Sequence, residues 1–425
     1  MDYLDKKQQK NNYTAAFLLI LLVPFSNFYI DIGFAFKPFM IFTMVYLLFS
    51  MKHFIIHKLN YFEITLIIFF MYFSVTALFA EYPAYSLRLI LGAWLTIFCY
   101  FIMRYILSKV SIENIEKAIS RSGLIFNVTS LVYYLAGLAS FGFVFHGNHI
   151  RAYGVMMDRN FPRLIGVLSD PNVYAFYNVL FFFYYLTHLE KRFSKVGLFL
   201  SITTLLLTLS RGAMIAVVFG ILLMFLTASL KQKIKMIFIL PIGGIIIGFL
   251  SERMLGINFI QYFVERFTAI KTDNGSGRLD LWENGISLFK ENPFGIGIFN
   301  FQPYNEAIYG KVAFMHNTFL EVLVEGGVLA LASYLASFVI LVCYLVKNWN
   351  VGVDKRYLCY SLFAMIILMT SLSMVVNESL FLIFTLIWRY LLEGDNPKEQ
   401  STNRLVSEDN RQLGLKKHKS KVEII

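Results

Sequence analysis

Charge is scarce in this sequence. Of its 425 residues, 15% are Asp, Glu, Lys or Arg, against 57% hydrophobic and 17% aromatic. A soluble chain of this length could not hide so much apolar surface. Cysteine is rarer still: Cys99, Cys343 and Cys359 all stand in apolar segments. A thiol there behaves as a small hydrophobe, so no disulfide framework is expected. The sequence also lacks a glycine-rich phosphate loop, a cluster of metal ligands, and an Asp-x-Asp pair of the sort that holds a metal for a sugar nucleotide. Those gaps argue against nucleotide-binding and metal-dependent chemistry, and no metal or cofactor is expected. The first apolar stretch, Tyr13 to Ile30, has no small-residue cleavage pattern after it, so it is expected to be retained.

What is present is a succession of long apolar runs. About 18–20 apolar residues cross a bilayer. Such runs occur at 13–30, 33–51, 61–79, 86–107, 121–145, 172–189, 194–210, 212–230, 234–250, 327–346, 357–375 and 378–392. They predict an all-α, polytopic membrane helical bundle of about 12 transmembrane helices. Lys37, near the start of the second run, is expected to snorkel to the interface. Gly244-x-x-x-Gly248 reads as a site of close helix packing.

The basic residues fix an orientation. One set of loops carries Lys6, Lys7 and Lys10, then Lys52 and Lys58, Lys109 and Lys117, Lys191, Arg192 and Lys195, Lys231, Lys233 and Lys235, then Lys347, Lys355 and Arg356, and finally the tail. In the alternating set, the short loops Ala80–Tyr85 and Val376–Asn377 carry no Lys or Arg. By the positive-inside rule the first set is cytoplasmic, and so are both termini. The formal net charge of +11 is then a matter of topology and anionic lipid, not of nucleic acid.

The chain divides accordingly. Residues 1–250 hold nine spans and an outer loop at 146–171; 251–326 form a large outer loop between spans nine and ten; 327–392 hold three spans; 393–425 are a polar tail expected to be disordered. The long outer loop exceeds what a connector needs. It opens with an amphipathic portion, Phe259–Ile270, and contains an expected helix, Arg278–Lys290, that stops at Asn292-Pro293 before a flexible Gly295-Ile-Gly297.

Arginine on the outer side is the informative feature, because the positive-inside rule predicts little of it there. Yet the outer segments hold Arg151, Arg159, Arg163, Arg211, Arg253, Arg266 and Arg278. Arg211 lies in Leu209-Ser210-Arg211-Gly212, a turn so short that the guanidinium must sit at or just below the interface, where a charge is costly without a partner. It is either an anion site or a lipid anchor. Arg278 follows Gly275-Ser-Gly277 and is expected to open a helix, where an anion is favoured and a guanidinium fork suits a diphosphate. A surface ion pair with Asp280 or Glu283 is the plainer alternative.

His316 is the only histidine of the long outer loop. An imidazole can take up a proton near neutral pH. It stands in Met315-His316-Asn317-Thr318-Phe319-Leu-Glu321, ahead of Glu325-Gly326. The first outer loop ends on Arg163-Leu-Ile-Gly166-Val-Leu-Ser-Asp170-Pro-Asn172, whose Asp170 is also a good start signal for the following helix.

In order and placement these motifs resemble the O-antigen ligase/polymerase family of bacterial membrane proteins, most strongly over about 163–327. The resemblance implies transfer of a glycan from a polyprenyl diphosphate carrier to an acceptor sugar, with inversion and without nucleotide or metal. It implies His316 as general base and Arg211 and Arg278 as the diphosphate clamp. Arg163, Asp170, Asn172, Asn317, Glu321 and Glu325 are supporting candidates. The implied partners are the carrier-linked oligosaccharide, an acceptor glycan, membrane lipids, and a flippase and chain-length regulator. A repeat-unit polymerase is favoured over a ligase acting on a lipid core, because no acceptor-docking domain stands out. A flippase or transporter is the non-enzyme rival, but such folds place polar residues near mid-membrane and repeat their halves, whereas these candidates gather at one face.

Overall fold

The computed structural model describes residues 2–230, 233–234, 253, 274–350 and 354–394. The ninth run, the amphipathic portion 259–270, Arg266 and most of the tail lie outside the described residues. Each other apolar run contains a helix. Four helices are long and apolar enough to cross a membrane: Tyr61–Phe79, Pro83–Ser108, Ile112–Ser140 and Thr318–Lys347. The remaining apolar helices among the described residues, such as Ser194–Leu207 and Arg356–Met369, are shorter.

Local chemistry sets the helix starts. Proline opens Pro38–Ser50, Pro83–Ser108 and Pro171–Thr187, where its missing N–H costs nothing. Side chains of Ser111, Asp170, Ser210 and Asn317 accept hydrogen bonds from the first-turn amides that follow them. Thr318–Lys347 packs along Tyr61–Val75, and Arg356–Met369 packs against both Pro171–Thr187 and Arg211–Thr227. The seams are aromatic: Phe69 and Tyr334 sit 4.6 Å apart between ring centroids. The outward positions Val328, Leu329, Val339 and Val346 are exposed and apolar, as lipid-facing positions are.

Three features depart from the sequence-based expectation. Lys37 has a partner the sequence did not show; its part-exposed ammonium lies 2.6 Å from the buried Glu378 carboxylate, which also accepts from the Tyr177 hydroxyl at 2.5 Å. A charge that deep is held by a partner. The fold is also not wholly helical. Strands Ile150–Ala152, Val155–Asp158 and Phe161–Leu164 form an antiparallel sheet in sequence order within the 146–171 loop. It rests on the end of Ile112–Ser140, where Tyr134 donates its hydroxyl to the Pro162 carbonyl at 2.9 Å. Finally, the helix of the long loop runs from Asn274 to Glu291, so Arg278 lies a turn inside it, just after Gly277 in left-handed backbone (φ +75°).

Candidate functional site

One cavity of about 370 Å³ draws together segments remote in sequence. Its wall includes Arg151 from the sheet, Asp170 from the start of Pro171–Thr187, His316, Glu321 and Glu325 around the start of Thr318–Lys347, and the stretch 372–376.

His316 sits at the joint between loop and helix. Its backbone is left-handed (φ +51°), an uncommon state for a residue with a side chain. Three contacts hold it there. Its N–H donates to Ser373 Oγ at 3.1 Å; the preceding Met315 carbonyl accepts from the Trp282 indole at 3.1 Å; and the following Asn317 side chain caps the helix through the Phe319 and Leu320 amides, both at 3.1 Å. The imidazole is partly buried, and the desolvation holds its pKa below the ordinary 6.5. The nearby Arg278 guanidinium pushes the same way, while the Asp170 carboxylate opposes both. The ring is thus biased to its neutral, proton-accepting form.

Arg278 reaches this neighbourhood because its helix lies along the 313–316 segment. Leu281, Leu288, Met315 and Val324 share a small apolar core there. Trp282, one helical turn beyond Arg278, makes the bond to Met315, so Arg278 shares a face with the side that meets His316. Arg211 begins its helix next to another part of the wall. A Cβ on the adjacent Gly212 would lie 2.9 Å from Ser371 Oγ, immediately before the 372–376 stretch. Ser210 ties this helix start to Pro171–Thr187 by donating to Asn172 Oδ1 at 2.6 Å, and the Asn172 amide in turn donates to Asp170 at 3.1 Å. Asp170, Asn172 and Arg211 therefore belong to two helix N-termini held side by side, capped by the Asp170 carboxylate and the Ser210 hydroxyl.

The other candidates divide by what their polar atoms touch. Arg163 is buried and spends its guanidinium on Asp158 (2.8 Å) and the Thr208 carbonyl (2.9 Å), bracing the turn that presents Arg211. Glu325 accepts the Phe299 and Phe301 amides at 2.7 and 3.1 Å. The expected flexibility of Gly295-Ile-Gly297 is not found: the Ile296 and Gly297 amides donate to the Val324 and Glu325 carbonyls, and both glycines have positive φ. A Cβ on Gly295 would collide with the backbone of Glu325, so glycine is what lets the loop dock beside the helix. Glu321 is buried, and its Oε2 has no hydrogen-bond partner.

The structure thus brings His316, Asp170, Glu321 and Glu325 to one cavity, with Arg278 in electrostatic reach of His316. Ser373 and Arg151 also line it, and sequence reasoning did not single them out as site residues. Arg151 was visible as an outer arginine; nothing in the sequence marks Ser373, 57 residues from its partner. Among the described residues no group of three or more His, Cys, Asp or Glu side chains could hold a metal ion.

Residues 196–335 match the family model described as O-antigen ligase, which supports membership of the O-antigen ligase/polymerase family. The matched stretch contains Arg211, Arg278, His316, Asn317, Glu321 and Glu325, and leaves Arg163, Asp170 and Asn172 before it. No curated protein matches the chain. The match and the long apolar helices together point to an integral membrane protein.

Proposed function

We propose that this chain, whose residues 196–335 carry an O-antigen ligase domain, is a membrane glycan transferase of surface polysaccharide assembly. Its donor is a glycan on polyprenyl diphosphate and its acceptor a sugar hydroxyl, with repeat-unit polymerisation favoured over ligation to a lipid core. The acceptor oxygen attacks the anomeric carbon and the bond from that carbon to the diphosphate oxygen breaks. The acceptor proton passes to His316, and polyprenyl diphosphate leaves. Attack opposite the leaving group inverts the anomeric configuration.

The observation that carries this reading is the partly buried, neutral-biased His316 on the cavity wall, with the Arg278 guanidinium within electrostatic reach of it. A base near neutrality beside a guanidinium able to hold diphosphate is what this transfer needs. On this reading about 12 spans place both termini in the cytoplasm of an inner or plasma membrane and the cavity on its outer face. No metal enters the reaction; arginine takes up the diphosphate charge.

Deleting the gene and resolving the cell's surface glycans on a gel tests this. Loss of every length beyond one repeat is the expected result. Full-length chains retained on the lipid carrier would instead identify a ligase, and an unchanged ladder would refute both.

A further inference from the structure

Two buried carboxyl groups lie one helical turn apart at the start of Thr318–Lys347, and their surroundings differ. Glu325 has both oxygens engaged by backbone amides of the docked loop. Glu321 has no such load. It borders the cavity, one of its oxygens has no partner, and the Ser373 hydroxyl that receives the His316 amide also reaches its carboxyl. Buried polar atoms are almost always satisfied, so an orphaned carboxyl oxygen at a cavity wall marks a place for a ligand hydroxyl. Glu321 is one helical turn beyond Asn317, hence on the same side of the helix as the residue that follows His316. Arg278, in contrast, acts on His316 electrostatically, and Arg211 starts its helix beside Ser371.

We propose that Glu321 binds the acceptor sugar, accepting a hydrogen bond from one of its hydroxyls and so aligning the neighbouring oxygen with His316. This rests on the transferase reading above. Glu325, by contrast, holds the loop and touches no substrate.

The test uses purified full-length protein. The donor is carrier-linked glycan extracted from cells lacking the gene. The acceptor is the same repeat unit released from its carrier, which has no diphosphate and can only accept. Glu321→Gln should raise the KM for the released oligosaccharide about tenfold, the loss expected when a buried hydrogen bond is weakened. Donor binding should stay at the wild-type level, which also reports that the variant is folded. Glu321→Asp, which keeps the carboxyl group, should recover part of the loss. Glu325→Gln should lower thermal stability instead, by loosening the 295–301 loop. An unchanged acceptor KM for Glu321→Gln, or a loss confined to kcat, would overturn the assignment, as would loss of donor binding. Wild-type protein that transfers nothing to the oligosaccharide would refute the polymerase reading itself, which a Glu321 result cannot do.

Discussion

His316→Ala is expected to bind carrier-linked glycan and to transfer almost none of it. A sugar hydroxyl is a poor nucleophile at neutral pH, and loss of a positioned base costs about 10²–10⁴ in rate. Binding should survive, because the arginines proposed to hold the diphosphate remain. Wild-type activity should rise with pH as the imidazole loses its proton. The inflection should fall below the ordinary 6.5, since burial and Arg278 disfavour the imidazolium more than Asp170 favours it. Acidification through that inflection protonates the base and stops transfer; alkalinisation above it changes little. Near-normal transfer by His316→Ala would place the base elsewhere. Loss of donor binding would make His316 part of the clamp.

The second large effect is expected at the arginines. Arg211→Ala and Arg278→Ala should each insert normally and weaken donor binding by one to two orders of magnitude, on the order of 1.5–3 kcal/mol for a hydrogen bond to a charged group. Because stabilisation of the charge growing on the leaving diphosphate is lost as well, transfer should fall further than binding. Arg211→Lys keeps the charge and loses the planar fork, so its activity should stay well below wild type. Arg278→Ala carries an independent mark. Removing a cation beside His316 should raise the imidazole pKa, moving the inflection of its residual activity to higher pH. An Arg278→Ala profile that did not move would separate the two residues; normal-length surface glycan from either alanine variant would make that arginine a lipid-facing anchor.

The helices were readable from sequence because apolar runs and proline or Asx starts are local signals. The sheet at 150–164 was not, since its short strands are stabilised by pairing and by docking on Ile112–Ser140 rather than by their own composition. Lys37 read as an interfacial lysine because its partner Glu378 is 341 residues away. Gly295 and Gly297 read as a flexible stretch for the reason that makes them useful: positive φ is compatible with a loose loop or with one pinned against a helix, and only the contacts with Val324 and Glu325 decide. Within the site, residue type and order pointed to His316, Arg211 and Arg278, but could not apportion Glu321 and Glu325. That division depends on which carboxyl meets the amides of Phe299 and Phe301, a matter of tertiary packing. The side chains of Asp170 and Asn317 both serve as helix caps, a role the sequence signalled for Asp170 through its following proline.

The most direct measurement is a transfer assay with purified wild-type protein and carrier-linked glycan, in excess EDTA and without nucleotide, with products resolved by length on a gel. Products longer than the input donor, formed at the same rate with and without chelator and missing with His316→Ala, are the expected result. Activity that vanished in EDTA and returned with magnesium or manganese, or elongation that persisted without His316, would contradict a metal-free transfer driven by that base.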